Sequence, residues 1–206
     1  QNEEGIIKEF GDLKTAEDIL GPNKQAFAVR IKKQLDFAES IKAQYVVFHI
    51  SDVSIQETVS YQFNHTDLEV ADAAIELINS VLDESNHSFY FLIENLWWPG
   101  FSMTNPDVTK YLIDGINYSI KGIMLDTGHL MNTNRRLKSQ EEGVEYINSI
   151  LDKHGHLCGY IKGVHLHQSL SGQYVEKLIS NVPSFKGSYY ERLMQLYPHV
   201  FEIDTH

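Results

Sequence analysis

The stretch GIMLDTGHLMNT, residues 122–133, decides the fold of this chain, because an apolar run ends abruptly on an acid and an imidazole. The run stops at Asp126, and His129 follows three residues later. An apolar strand that ends on polar side chains is typical of a parallel sheet, in which sites form at the carboxyl ends of the strands. This interpretation requires that other strands of the chain end in the same way.

Other short runs share the composition of GIMLD, being rich in β-branched and aromatic residues, which favours strands. They are YVVFHIS (45–51), SFYFLIEN (88–95), YIKGVHLH (160–167) and HVFEID (199–204). Their apolar residues are nearly continuous rather than alternating. This pattern predicts strands that are buried on both faces, as in a parallel sheet.

Amphipathic stretches between these runs predict helices. They cover residues 25–43, 66–84, 105–118, 139–154 and 188–197. The alternation predicts an α/β fold of the TIM (β/α)8-barrel type, in a single domain over residues 1–206. Only five strands are visible and 1–24 is hard to assign, so we expect an incomplete barrel whose early and last strands are missing or cut. An open doubly wound sheet is the alternative, but no glycine-rich phosphate loop supports it.

Composition narrows the possible functions. The chain has 206 residues, 42% of them hydrophobic, and a formal net charge of -11, which disfavours nucleic acid as the main partner. No apolar run is long enough for a membrane span, and no secretory signal is visible. The single cysteine, Cys158, favours a reducing, cytoplasmic setting. The chain begins with Gln1 and ends at His206 directly after an apolar run, so we expect that both ends are cut.

Potential metal ligands end the predicted strands, at His49, Glu94, Asp126 and His165. Each is separated from the next by about one βα unit, and parallel strands bring their carboxyl ends to one face. Carboxylates and imidazoles together suit Zn²⁺ or Mn²⁺, with Mg²⁺ also possible. A bound cation would also relieve the repulsion between two clustered carboxylates.

Four motifs within residues 45–169 resemble the xylose-isomerase-like TIM-barrel superfamily, namely VVFHIS, FLIENLWWPG, IMLDTGHL and VHLHQS. This superfamily includes sugar isomerases and epimerases and the endonuclease IV type of apurinic endonuclease. The resemblance implies that Glu94, Asp126 and His165 are metal ligands. It implies that His129 contacts substrate or binds an additional zinc, and that His49 is a ligand or faces the substrate.

The resemblance leaves the last ligand of the family open. Glu202 matches the late-strand Glu, which would also make it a catalytic partner of Glu94. Alternatively, Asp204 and His206 match the Asp-x-His that binds an additional zinc with His129 in the endonuclease type, and the late-strand Glu lies beyond residue 206. Gln168 stands where the family often has Asp.

Substrate contacts are predicted in the loops that follow the strands. Trp97 and Trp98 directly follow the Glu94 strand, and we expect one to line the pocket and the other to pack. Arg135 is a candidate phosphate clamp, although a solvated loop residue explains it equally well. His167 is a further candidate for substrate binding.

Three functions fit these residues. The first is a metal-dependent sugar or sugar-phosphate isomerase or epimerase, in which Glu94 and Glu202 move a proton and His129 orients the substrate. The second is a zinc phosphodiesterase acting on abasic DNA, and the third is an inactive, barrel-derived binding module. A small sugar is the expected partner, and a homo-oligomer is possible.

Overall fold

The computed structural model describes residues 3–82 and 86–204, and its centre is a parallel β-sheet. The four strands of this sheet lie side by side in the order in which they occur along the chain. They are β1 (Tyr45–His49), β2 (Tyr90–Glu94), β3 (Lys121–Asp126) and β4 (Ile161–His165). The α/β class with a parallel sheet, predicted from the apolar runs, is therefore confirmed.

Helices connect the strands and precede the first of them. Within the described residues they are α1 (Glu3–Phe10), α2 (Leu13–Leu20), α3 (Lys24–Ser40), α4 (Ile55–Ser60), α5 (Asp67–Leu82), α6 (Pro106–Gly115), α7 (Thr127–Asn132), α8 (Gln140–His154), α9 (Gly172–Ser180) and α10 (Tyr189–Ile203), with a 3-10 helix at Gly155–Tyr160. Thr66 and Glu69 form the reciprocal capping bonds that the sequence predicts before α5. None of the described helices is both long and apolar enough to cross a bilayer.

The main hydrophobic core lies between one face of the sheet and its helices. Phe91 and Ile93 of β2 and Ile123 of β3 are almost fully buried and pack in one cluster with Ile78 of α5 and Leu112 of α6. The central strands β2 and β3 are buried, whereas β1 and β4 at the sheet edges are only partly covered. Both central strands are thus fixed by packing as well as by two hydrogen-bonded neighbours.

A second, smaller core joins α4, α9 and α10. Its buried residues include Val59, Val175, Leu196 and Ile203, together with Trp97 from the segment after β2. These three helices therefore form a cap beside the carboxyl ends of the strands, and this cap is where the candidate ligands converge.

The prediction of a strand at residues 199–204 is wrong, because these residues continue α10 up to Ile203. Ser188 and Glu191 cap the helix. Its inward residues then recur every three or four positions, at Tyr189, Leu193, Leu196, Val200 and Ile203. The helix continues through Pro198.

The amphipathic pattern of residues 25–43 places Phe37 and Ile41 near the buried face of the helix, and this expectation is wrong. Phe37 and Ile41 are 65% and 61% exposed, because the buried face of α3 passes through Ile31 and Leu35 and the helix ends at Ser40. GIIKEF, the only strand candidate before residue 25, lies in α1.

We predict that Ile78→Ala lowers the free energy of unfolding by about 2–5 kcal/mol, because it opens a cavity in the main core. Leu68→Ala is the matched control on the same helix, since Leu68 is 52% exposed, and it should change stability by about 0.5 kcal/mol or less. Urea unfolding followed by circular dichroism measures both. Equal losses in the two variants would contradict this assignment of the core.

Candidate metal centre

The parallel register brings the strand ends together. His49 of β1 is paired with Glu94 of β2, and Asp126 of β3 is paired with His165 of β4. Glu94 is level with Met124, two residues before Asp126 on the same strand. Because side chains alternate along a strand, Glu94 and Asp126 point to the same side of the sheet. The predicted convergence of these four residues is what the structure shows.

Asp126 ends β3 and also begins α7, with no loop between the two elements. Its side chain accepts a 2.7 Å hydrogen bond from the backbone N–H of His129, which caps the helix. The first turn of α7 therefore carries the His129 ring above the carboxylate. Both side chains are buried, Asp126 completely.

Asn95 braces the ends of β2 and β3. Its side-chain oxygen accepts from the Asp126 backbone N–H at 2.9 Å, and its amide donates to the Asp126 carbonyl at 3.0 Å. The backbone carbonyl oxygen of Asn95 lies 2.9 Å from His129 Nδ1. One fully buried side chain thus fixes the strand end that carries Asp126 next to the strand that carries Glu94.

Imidazoles surround the buried Glu94 carboxylate. His165 Nδ1 lies 3.2 Å from Oε1, and His49 Nε2 lies 3.5 Å from Oε2. Burial favours the neutral acid, but contacts with His49 and His165 outweigh it, so the pKa of Glu94 lies below its usual value. The side chains of His49 and His165 are 55% and 43% exposed, so they form the accessible rim of the site.

These residues fit a divalent cation. Ligand atoms of Glu94, Asp126 and His165 all lie within 4.8 Å of one another, and so do those of Asp126, His129 and His167. At this separation two carboxylates repel by on the order of 3 kcal/mol at an effective dielectric constant of about 20. Glu94 Oε2 is also buried without a well-formed hydrogen bond. A cation bound by carboxylate and imidazole would neutralise the repulsion and give Glu94 Oε2 a partner.

Hydrogen-bond acceptors face both ring nitrogens of His129. Nδ1 faces the Asn95 carbonyl, and Nε2 lies 3.3 Å from Asp204 Oδ2. Burial opposes protonation, but the Asp204 hydrogen bond and the charges of Asp126 and Asp204 outweigh it, so the pKa of His129 is raised. The contact with Asp204 ties the end of α10 to the site. Because both ring nitrogens of His129 are already engaged, the group that contains Glu94 and His165 is the better candidate for a metal.

His167 is held from three sides. Its Nε2 lies 2.7 Å from the Asp126 carboxylate, while Thr127 Oγ1 bonds to both its backbone N–H and its carbonyl. Its ring lies directly against Gly128, where a Cβ atom would overlap the imidazole. His167 thus orients Asp126, and this packing explains why the turn after Asp126 contains a glycine.

Residues 199–204 do not form the predicted last strand, so the candidate site residues on it lie elsewhere than expected. Glu202 lies on α10 and is exposed, so it is not the catalytic or ligating Glu of a late strand. Asp204 follows the helix and reaches His129. His206 lies outside the described residues, so its predicted role as a ligand stays a prediction.

The predicted substrate contacts lie beside the centre. Trp97 is buried, and its ring lies 5.1 Å from the His129 ring, whereas Trp98 is partly buried. Arg135 is exposed and forms a 3.0 Å ion pair with Glu176, which partly neutralises a candidate phosphate clamp. Trp97, Trp98 and Arg135 line a common cavity with Tyr61.

Sequence reasoning missed Asn95 and the positioning role of His167. Asn95 follows Glu94 directly in the motif IEN, and a polar amide at the end of a buried strand was the available signal. For His167 the available signal was Gly128, two residues after Asp126. The sequence does not show that Gly128 and His167 are in contact, because only the fold brings them together.

The chain belongs to the xylose isomerase-like TIM barrel family, whose model matches residues 19–195. Among solved structures, it is similar to a xylose isomerase domain protein from Planctomyces limnophilus at 13% sequence identity and a TM-score of 0.41. That match covers 87% of this chain and 66% of the other protein, so the chain spans just under two thirds of that neighbour. Among curated proteins, no sequence matches the chain. The family confirms that the parallel sheet is part of a barrel-type fold.

We predict that Gly128→Ala destabilises the protein by about 1–3 kcal/mol, because the new methyl group displaces the His167 ring. In an unconstrained helix the same change would be favourable by up to about 1 kcal/mol. Adding His167→Ala should remove most of the penalty in a double-mutant cycle of urea unfolding. Gly159→Ala is the control, since nothing lies near its Cβ position. Additive effects of the two substitutions would exclude the proposed contact.

Proposed function

We propose that this protein is a metal-dependent isomerase or epimerase of a small sugar or sugar phosphate. The observation that carries the proposal is the buried group of Glu94, Asp126 and His165, whose ligand atoms lie within 4.8 Å of one another beside an exposed imidazole rim. Membership of the xylose isomerase-like family supports it. The net charge of -11 is compatible with a neutral sugar.

Glu94, Asp126 and His165 would hold the metal, with His49 at the edge of the group. A bound Zn²⁺, Mn²⁺ or Mg²⁺ would polarise the substrate carbonyl and acidify the neighbouring C–H. His165 has an exposed edge at the centre, so it would also contact the bound sugar. Asp126 would keep its orientation through His167 and the α7 backbone.

His49 is the best candidate to move the proton, because Glu202 lies on the exposed face of α10. The Nε2 of His49 faces Glu94, so the other ring nitrogen would accept the substrate proton while the carboxylate stabilises the imidazolium. His129 would hold Asp204 and keep α10 closed over the site. The single cysteine supports a cytoplasmic enzyme.

We expect Asp126→Asn to weaken binding of Zn²⁺ and Mn²⁺ by at least about tenfold, because it removes a buried anionic ligand. Isothermal titration calorimetry of the full chain measures this, with elemental analysis of the bound metal. His156→Gln is the control, since His156 is exposed and outside both metal-binding groups. Unchanged affinity in Asp126→Asn would refute the assigned centre.

Proton transfer is tested by incorporation of solvent deuterium into aldoses, ketoses and their phosphates, followed by ¹H NMR with each metal. We expect exchange at the carbon beside the carbonyl and a loss of about 10²–10⁴-fold in His49→Gln, with metal affinity retained. Glu202→Gln should match the unmodified protein. If no substrate exchanges although the metal binds, the isomerase proposal fails.

A second candidate is a zinc phosphodiesterase that acts on abasic DNA. The 3.3 Å contact between His129 and Asp204 favours it, since this pair matches an additional zinc site in the resemblance described above. The acidic net charge opposes it. Incision of a duplex with one abasic site, together with three bound zinc ions per chain, would favour this candidate over the isomerase.

A further inference from the structure

Helix α10 has a second apolar face that points away from the protein. The inward residues of this helix pack in the smaller core. The residues one position further along, Tyr190, Met194, Tyr197 and Phe201, are between 42% and 68% exposed. They follow one another at intervals of four, three and four positions, so they form one stripe on the helix, which we call the outer stripe. An exposed apolar stripe of this kind is typical of an interaction surface.

The amino-terminal half of the outer stripe is a groove. A cavity of about 560 Å³ lies there, and its lining includes Tyr190, Met194, Gln195 and the preceding segment at Lys186. The side chain of Gln195 fixes this segment, because its Oε1 accepts from the Lys186 backbone N–H at 3.3 Å and its Nε2 donates to the Lys186 carbonyl at 2.8 Å. The groove is therefore formed before any partner binds.

The carboxyl-terminal half of the outer stripe is a ridge. The rings of Tyr197 and Phe201 stack on each other, with centroids 6.1 Å apart and planes tilted by 22°. Both rings are exposed to solvent. The same helix face thus has an apolar groove at one end and an aromatic ridge at the other.

A second copy of this chain has the shape that fits the outer stripe. When two α10 helices lie antiparallel about a two-fold axis, Phe201 of each copy lies opposite Tyr190 of the other, and Tyr197 lies opposite Met194. Each ridge then enters the groove of the other copy. Such an interface uses the same patch twice and closes the dimer. Intervals of three and four residues suit two helices that cross at about 20°.

The charges at the two ends of the outer stripe favour the same antiparallel arrangement. Lys186 lies at the groove, whereas Glu202 follows Phe201 on the ridge, and both charged side chains are exposed. Glu191, which also lines the groove, is engaged in capping Ser188. An antiparallel pair brings Lys186 of each copy to Glu202 of the other and aligns opposite ends of the helix dipoles. A parallel pair would instead place like charges together.

We propose that the outer stripe is a docking surface for a second copy of this chain, and that the two copies form an antiparallel, two-fold symmetric dimer through α10. The inference is independent of the proposed function, since it uses none of the candidate metal ligands. The helix that pairs is also the one that ends at Asp204 beside His129, so dimer formation would hold it in place beside the centre.

Analytical ultracentrifugation of the full chain tests this proposal. The outer stripe is smaller than a standard interface of about 20–30 residues a side. We therefore expect a weak dimer, with a dissociation constant on the order of 10–100 µM. The weight-average mass should rise from that of a monomer to that of a dimer and no further, because a two-fold interface is closed. A mass that stays monomeric at about ten times this concentration range, or assemblies larger than a dimer, would overturn the proposal.

Substitutions on the ridge and in the groove locate the interface. Phe201→Ala and Met194→Ala should each weaken the dimer by at least about tenfold, since each substitution acts twice in a symmetric interface. Phe37→Ala is the matched control, because Phe37 is similarly exposed but lies on α3. If Phe201→Ala leaves the dimer unchanged, or if Phe37→Ala weakens it equally, the dimer uses another surface and the proposal fails.

Charge reversal tests the antiparallel orientation. Glu202→Lys and Lys186→Glu should each weaken the dimer about two- to tenfold, and the double variant should restore the original affinity. High salt should reduce these differences. Circular dichroism should be the same for all variants, since the substituted side chains are exposed. A double variant that dimerises no better than the single ones would contradict the antiparallel pairing.

Discussion

The pairing of Asn95 with the backbone of Asp126 is the constraint on which the candidate site depends. The parallel ladder alone aligns Glu94 with Met124, two residues short of Asp126. The amide brace extends the contact between β2 and β3 to the residue where α7 begins. Because it uses both the N–H and the carbonyl of Asp126, the carboxylate cannot move away from Glu94 without breaking two buried hydrogen bonds.

Holding two buried carboxylates together has an energetic cost that the rest of the fold must offset. The main core does so, since the strands that carry Glu94 and Asp126 are the two most deeply buried of the sheet. The imidazoles of His49, His165 and His167 lower the repulsion further. A site that concentrates charge at the expense of stability is typical of functional centres.

Sequence alone was sufficient for the parts of the molecule that depend on local pattern. Continuous apolar runs predicted all four strands, and their polar ends predicted that Glu94, Asp126 and His165 converge. Prediction from the sequence failed at residues 199–204. Their β-branched and aromatic composition favoured a strand, but packing against α4 and α9 selects a helix. Contacts such as His167 against Gly128 join elements about 40 residues apart, so no local pattern contains them.

The segment after β2 links the metal centre to the cavity that is lined by Trp97, Trp98, Arg135 and Tyr61. It begins with Glu94 and Asn95 at the centre and continues with Trp97 and Trp98 at the cavity. It returns to the sheet at Gly100, whose φ of 126° and contact with the Ile50 carbonyl leave no space for a side chain. Because Trp97 contacts His129 on one side and lines the cavity on the other, a displacement of this ring alters both. The same short segment therefore positions a candidate metal ligand and shapes the wall of the neighbouring cavity.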